Sequence, residues 1–354
     1  MLTFLVFAAL VLIILVIVQV AKTNEYISIL HGEERSEDEN NKIQSRIFLI
    51  FGIVGFIACF WSVYHFKDMF LPEAATVHGK YIDQMFNITL FFTGIMFVAT
   101  NVALFWFAFK YRFKRGQFAY YYPENNKLEM IWTIIPAIVL TTLVIYGLYR
   151  WFQITSPPPT DAAVVEITGK QFAWMVRYPG ADGKLGERKF DYIDDANSNS
   201  LGIDWTDPAS HDDILPTEIH LVVNKPVLFR IGARDVIHDV GIAFFRVKMD
   251  AVPGIPTHFW FTPTTTTQEM RTKLGRPEFN YEVACDQLCG NGHYGMRYVI
   301  VVESQEDYDK WMASQTSYYN TVIKDTEYGK TFAQVKADID NKKKGSSEAE
   351  HKPE

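Results

Sequence analysis

Four stretches of this 354-residue chain are long and apolar enough to cross a bilayer, and they constrain everything else it can become. Residues 1–20 carry only Thr3 and Gln19 as polar side chains, and further apolar runs cover roughly 47–66, 86–109 and 130–152. Each approaches the ~20 residues that a helix needs to span hydrocarbon. Backbone groups find no water there, so an open segment must satisfy them internally as a helix. From about residue 160 onward the composition is that of an ordinary soluble protein. The expected organisation is a helical membrane anchor followed by a water-soluble domain. Residues 1–46 read as an N-terminal transmembrane helix and charged loop, 47–85 as a second helix with an outer loop, and 86–155 as a transmembrane hairpin. The soluble domain is expected over 160–303, a helical segment over 304–337 and a disordered tail over 338–354, where Lys, Glu and Ser dominate without apolar period.

The first run lacks the basic start and small-residue cleavage pattern of a signal peptide, which favours a retained helix over a cleaved leader. Orientation follows from charge. The segment 110–127 carries Lys110, Arg112, Lys114, Arg115 and Lys127 against Glu124, so it is expected on the cytoplasmic side. Alternation then places 67–85 and the soluble domain outside, with 22–46 inside and the N-terminus outside.

After Pro157-Pro158-Pro159 the chain breaks into short strand-like runs: Ala163–Thr168, Gln171–Tyr178, Ile219–Leu221, Val227–Ile231, His258–Phe261, Tyr281–Val283 and Arg297–Val302. Turn residues separate them and no helix of comparable strength intervenes, which predicts a β-sandwich. Residues 304–315 read as a terminal helix.

The chemistry is concentrated in Ala284-Cys285-Asp286-Gln287-Leu288-Cys289-Gly290-Asn291-Gly292-His293-Tyr294-Gly295-Met296. One cysteine follows the other by four residues, the histidine comes four later and the methionine three after that; the only other cysteine is Cys59, read as a small core residue of an apolar run. Two thiolates, an imidazole and a thioether are soft donors that suit copper. A structural zinc site has little use for the methionine, and a single blue copper leaves one cysteine over. Two coppers sharing both thiolates account for the surplus if a second histidine joins them. His238, 47 residues before Cys285, is the candidate. The competing reading is a Cys285–Cys289 disulfide, open to a domain outside the cytosol.

Asp235-Val236-Ile237-His238, the run Phe245 to Gly254 and the Cys-to-Met loop occur in that order. Together they resemble subunit II of the haem-copper oxidases, which carries the binuclear CuA centre. Asn126-Lys127-Leu128-Glu129-Met130-Ile131-Trp132-Thr133-Ile134-Ile135-Pro136 and Leu221 to Val227 add to the likeness, which spans about residues 85 to 315. The resemblance implies a membrane-anchored α plus all-β chain with a cupredoxin-type β-sandwich. Cys285 and Cys289 would bridge two coppers, with His238 and His293 on one each, Met296 as weak axial ligand and the Gln287 carbonyl as the other weak ligand. It further implies that electrons from a cytochrome c-type donor pass to haem in subunit I, where dioxygen is reduced and protons are pumped. Subunits I and III and the lipid bilayer are the implied partners, in a bacterial inner membrane with the copper domain on the periplasmic face. No nucleic-acid partner is expected.

Several positions depart from the family pattern or carry a second reading. Gln287 stands where the family has a glutamate that helps bind magnesium against subunit I, so that ion is in doubt. Gln171-Phe172-Ala173-Trp174 stands for Gln-Trp-Tyr-Trp, whose first tryptophan receives the electron; Phe172 occupies that position, and Trp174 reads equally as a core aromatic. Asp194, Asp195, Asp212 and Asp213 belong to an acidic stretch that either steers a basic donor or forms a solvated loop. Glu129 occupies the family's proton-uptake position, but a carboxylate also suits a first helical turn. A CuA subunit of a nitric oxide reductase and a non-redox quinol-oxidase scaffold are the alternatives, the second normally lacking the copper ligands that this chain retains. The two N-terminal helices are additions to the usual family pattern.

Overall fold

The computed structural model describes residues 2–350. The chain divides into two compact units, residues 1–70 with 87–141, and residues 71–86 with 142–354. Among the described residues four helices are long and apolar enough to cross a membrane: α1 (Leu2–His31), α2 (Glu33–Phe70), α3 (Val77–Lys110) and α4 (Asn126–Ile154). Their large apolar side chains point outward on every side, a surface that only lipid or other apolar protein can cover. In the first unit Phe105 of α3 packs against α2, its ring tilted 46° to that of Phe48 with centroids 4.7 Å apart. The contact needs Gly52, where a Cβ would come within 2.5 Å of the Phe105 ring.

These helices outrun the apolar stretches that announce them. The charged loop expected over 22–46 is helical on both sides of Gly32, whose φ of +83° makes the break. Its Glu, Lys, Arg and Gln residues are good helix formers, so apolarity marks the span but not the helix ends. With 38 residues, α2 extends about 57 Å at 1.5 Å per residue, well beyond a ~30 Å hydrocarbon core. Cys59 is exposed on α2 rather than packed in a core. At the start of α4, Asn125 Oδ1 accepts from Leu128 N at 3.1 Å while Glu129 Oε1 accepts from Asn125 N at 3.3 Å.

The second unit holds the β-domain. Its strands are β1 (Ala163–Lys170), β2 (Ala173–Arg177), β3 (Ile219–Val222), β4 (Val227–Ala233), β5 (His238–Ile242), β6 (Val247–Ala251), β7 (Thr257–Phe261), β8 (Tyr281–Cys285) and β9 (Arg297–Glu303). They form a four-stranded sheet in the order β2-β1-β4-β7 and a five-stranded sheet in the order β3-β9-β8-β5-β6. Alternate residues turn inward: Val227, Phe229 and Ile231 from β4, Ile219 and Leu221 from β3, Tyr281, Val283 and Cys285 from β8. Phe229, Phe245, Phe261 and Tyr281 interlock at the centre with ring centroids 4.9 to 5.2 Å apart. Each such side chain contributes about 1.5–3 kcal/mol on burial.

All seven runs expected as strands are present, with one trimmed: Gln171 and Phe172 form the two-residue tip between β1 and β2, because Lys170 pairs with Ala173. The short β5 and β6 were not anticipated, since their Gly and Asp residues interrupt the usual apolar alternation. Helix α5 (Thr267–Leu274) was missed as well, although Thr266 and Glu269 form a capping box at its start. Helix α6 (Gln305–Ser314) matches the expected terminal helix.

The outer loop expected before α3 is built into this domain. Ala75 N donates to Phe244 O at 2.8 Å, Thr264 N to Ala75 O at 2.8 Å, and Arg246 grips Asp83 through Nε at 2.7 Å and Nη2 at 2.9 Å. The connection between α2 and α3 therefore belongs to the same compact unit as the β-domain.

A second core corrects two expectations. Between β2 and β3, the acidic stretch is folded: Tyr192, Leu201, Ile203 and Trp205 pack with Ile323, Tyr328 and Phe332 from the C-terminal segment. The backbone of 338–350, expected to be disordered, continues helix α7 (Glu327–Glu350), and residues 351–354 lie outside the described residues. Lys, Glu and Ala hold a helix by propensity without an apolar stripe.

Arg177 is buried between two carboxylates, with Nε 2.8 Å from Glu166 Oε2 and Nη1 3.0 Å from Asp213 Oδ2. Burial outweighs the pull of Arg177 and raises the Asp213 carboxyl to about 6. That lies above the ordinary carboxylate value of about 3.9, so the stabilising contribution is full below about pH 4 and lost as pH rises through 6. Arg177→Leu strands both carboxylates and is expected to cost about 3–5 kcal/mol at neutral pH, and less near pH 5, where Asp213 takes up a proton. Denaturant unfolding of the detergent-solubilised chain at both pH values measures this. Equal losses at the two values would show that Asp213 does not titrate in the range.

Candidate metal centre

The register of β5 against β8 assembles the site. Val240 pairs with Cys285 and Gly241 with Ala284, antiparallel, so the inward face of β5 that carries His238 meets the inward face of β8 that ends in Cys285. The chain then loops from Asp286 to Met296 and re-enters the sheet as β9. Cys285 N donates to Met296 O at 3.2 Å, closing the loop, and the Trp174 indole N–H donates to the same carbonyl at 3.3 Å.

Inside, the donors converge. The sulfurs of Cys285 and Cys289 are 3.9 Å apart. His238 Nδ1 lies 3.8 Å from Cys285 Sγ, and His293 Nδ1 lies 3.7 Å from Cys289 Sγ. Met296 Sδ is 4.0 Å from Cys289 Sγ, and the Gln287 carbonyl is 3.2 Å from Cys285 Sγ. The ligand atoms of His238, Cys285 and Cys289 all fall within 4.8 Å of one another in a buried group. A disulfide needs sulfurs about 2.05 Å apart, so the competing covalent reading does not describe this pair. Burial, then hydrogen bonding to Cys285 and its charge, push the Cys289 thiol up to about 11. A soft cation between the sulfurs would displace those protons. Two sulfurs, each with its own imidazole, form a donor set that fits copper.

A surrounding layer holds these side chains, and the sequence reading gave its members no such role. Asp235 Oδ1 accepts from His238 Nε2 at 2.9 Å, which leaves Nδ1 facing the sulfurs. Gln171 Nε2 donates to Cys289 O at 2.6 Å. Gly169 is required behind His238, since a Cβ there would stand 2.7 Å from the imidazole ring. Gly290, at φ +135°, and Gly292 let the Phe172 ring rest on the loop; added Cβ atoms would lie 2.9 and 2.4 Å from that ring.

All the expected copper ligands are therefore brought together, and the other candidate positions separate. Phe172 is 42% exposed at the β1–β2 tip, against the loop, whereas Trp174 is buried beneath the site and does not reach the surface. Gln287 turns its side chain outward. Asp213 is fully buried on Arg177, so it is unavailable for docking. Asp195 pairs with Arg234, which holds its carboxyl well below the usual range together with Ser200. Asp194 accepts from Asn197 Nδ2 at 2.7 Å and Asp212 from Asp182 N at 2.9 Å. The stretch is a folded insertion rather than a solvated loop because its carboxylates satisfy local backbone and cationic groups. Glu129 is exposed and turned back onto the cap of α4.

Comparison with known proteins places the chain in a family. Residues 64–149 match the transmembrane domain of cytochrome c oxidase subunit II, and residues 163–304 match the periplasmic domain of the same subunit. The chain is 35% identical over 255 residues to the alternative cytochrome c oxidase subunit 2 of Bradyrhizobium diazoefficiens, covering 72% of this chain and 86% of that one. It is 28% identical over 285 residues to cytochrome c oxidase subunit 2 of Thermostichus vulcanus, covering 73% and 82%. The crystal structure of the periplasmic domain of subunit II of a cytochrome oxidase from Bradyrhizobium japonicum aligns with a TM-score of 0.30 at 22% identity, covering 45% of this chain and 96% of that one. Neither the nitric oxide reductase nor the quinol-oxidase alternative is favoured by these matches. The chain belongs to the cytochrome c oxidase subunit II family, with membrane-crossing helices followed by a β-sandwich that matches the family's periplasmic domain.

Proposed function

We propose that this subunit holds a binuclear copper centre through which single electrons pass from a c-type cytochrome to haem in subunit I, for reduction of dioxygen to water coupled to proton pumping. The placement is the outer face of a bacterial inner membrane, in a complex that includes subunits I and III. The observation that carries the reading is the paired arrangement of Cys285 with His238 and Cys289 with His293, around sulfurs 3.9 Å apart. Copper held by these residues would supply a one-electron redox carrier.

The protein's part is positional. Strands β5 and β8 fix His238 and Cys285, so the donor set changes little between oxidation states. Met296 offers a weak thioether whose main effect is on potential. Phe172, exposed at the hairpin tip and resting on the loop that carries Cys289, is the proposed point of electron entry, with Trp174 buried beneath the site. The Gln287 side chain brings an amide and no charge to the proposed magnesium position, which weakens any hard-cation site there.

Metal analysis of the purified complex should find two copper atoms at this centre, and electron paramagnetic resonance one unpaired electron shared by both. A single copper with a four-line hyperfine pattern would refute the binuclear assignment. Met296→Leu should keep the metal with an altered potential, whereas Cys285→Ser or Cys289→Ser should lose most of it. Equal copper content in all three contradicts this ranking.

Steering of a basic donor now falls to Asp194, Asp195 and Asp212, with Asp195 largely compensated by Arg234. Reduction by soluble cytochrome c should slow as salt shortens the ~8 Å screening length at physiological ionic strength, and Asp194→Asn should slow it at low salt. Stopped-flow rates indifferent to both changes would place the docking site elsewhere.

Glu129→Gln tests proton uptake on the other face. If the carboxylate gathers protons, oxygen-electrode turnover falls while copper reduction by the donor stays normal. If turnover is unchanged across the pH range, Glu129 serves the Asn125 cap alone.

A further inference from the structure

Asp235 lies outside the sulfur and nitrogen donor set, yet its two oxygens reach opposite parts of the site. Oδ1 accepts from His238 Nε2 at 2.9 Å and from Val236 N at 2.7 Å, and Oδ2 accepts from Gln171 N at 2.7 Å. Gln171 in turn donates its side-chain amide to Cys289 O at 2.6 Å, and its neighbour Phe172 rests on Gly290 and Gly292. One carboxylate thus connects a metal-facing imidazole to the hairpin tip, and the tip braces the loop that carries the other ligands. An acceptor opposite Nε2 calls for a proton there, which leaves the Nδ1 lone pair directed at the Cys285 sulfur 3.8 Å away.

We infer that Asp235 is a positioning residue that sets the tautomer and electron-donating strength of His238, lowering the reduction potential of the centre, and that it locks the donor-facing tip to that ligand. The inference rests on the copper reading. A carboxylate facing the far nitrogen makes a ligating imidazole more basic, and a more basic ligand favours the higher oxidation state. The same carboxylate fixes the backbone that carries Phe172, so the position of the outermost ring and the chemistry of the metal are held by one group. Asp235→Asn preserves shape but keeps one acceptor oxygen and puts a donor at the other position. The amide must oppose either His238 Nε2–H or Gln171 N–H.

The test is made on the purified complex, beginning with wild-type copper content; a wild type without copper removes the copper reading rather than this inference. In Asp235→Asn the potential of the centre should rise by about 59 mV for each tenfold loss in preference for the oxidised state, with an altered imidazole nitrogen coupling in the resonance spectrum. Asp235→Glu restores the charge and should bring both back toward wild type. Gln171→Ala, which frees the Cys289 carbonyl but leaves the carboxylate, should slow reduction by cytochrome c with little change in potential. Wild-type potential and coupling in Asp235→Asn would overturn the inference, as would equal potential shifts in Asp235→Asn and Gln171→Ala. If Asp235→Asn purifies without copper, Asp235→Glu decides: metal recovered at the wild-type potential supports the role, and metal still absent overturns it.

Discussion

The antiparallel pairing of β5 with β8 is the interaction on which the site depends. Strands alternate their side chains between two faces, so a slip of one residue in this ladder would send His238 to the outside while Cys285 stayed within. Val240 opposite Cys285 prevents that slip, because Val240 and Ile242 must share the core with Val283 and Tyr281. The loop closes where Cys285 N and the Trp174 indole meet the Met296 carbonyl. The register that packs the hydrophobic core therefore also brings the sulfur and nitrogen donors together.

Charge inside the domain is handled by pairing rather than by avoidance. Glu166, Arg177 and Asp213 form a chain beside β1 and β2, with Arg188 3.3 Å from Glu166 on its outer side. Asp204, also buried, meets Lys336 of α7 at 2.6 Å. The insertion between β2 and β3 and the C-terminal helix thus share ionic contacts as well as the aromatic cluster around Trp205 and Phe332. An acidic composition that suggests a solvent-facing surface instead furnishes much of the wiring of a second small core.

Legibility in the sequence tracks how local each determinant is. The membrane helices are visible because apolarity alone stabilises them in lipid, but their ends are not: α2 begins among charged residues that hold helical form without any apolar signal. Strands with clean alternation, such as Val227–Ile231, are legible, while β5 and β6 are not, because His238, Asp239 and Gly241 resemble a loop until β8 lies beside them. Trp174 could be either a surface or a core aromatic by sequence, and burial under the Met296 carbonyl decides for the core. Asp213 carries the same chemistry as Asp194, and only the position of Arg177 makes one internal and the other partly exposed.

By itself, the sequence determined the membrane anchor, the β-rich soluble domain and the soft donor set of Cys285, Cys289, His293 and Met296, because each is encoded within a short span by composition or spacing. The tertiary structure decided which distant histidine joins them, which carboxylates face inward, and that residues 71–86 and 316–339 belong to the β-domain's unit. It also decided that Asp235 and Gln171, 64 residues apart, meet beside the same donor cluster. Those outcomes rest on strand register and on the desolvation of charges, and neither exists until the two sheets close on each other.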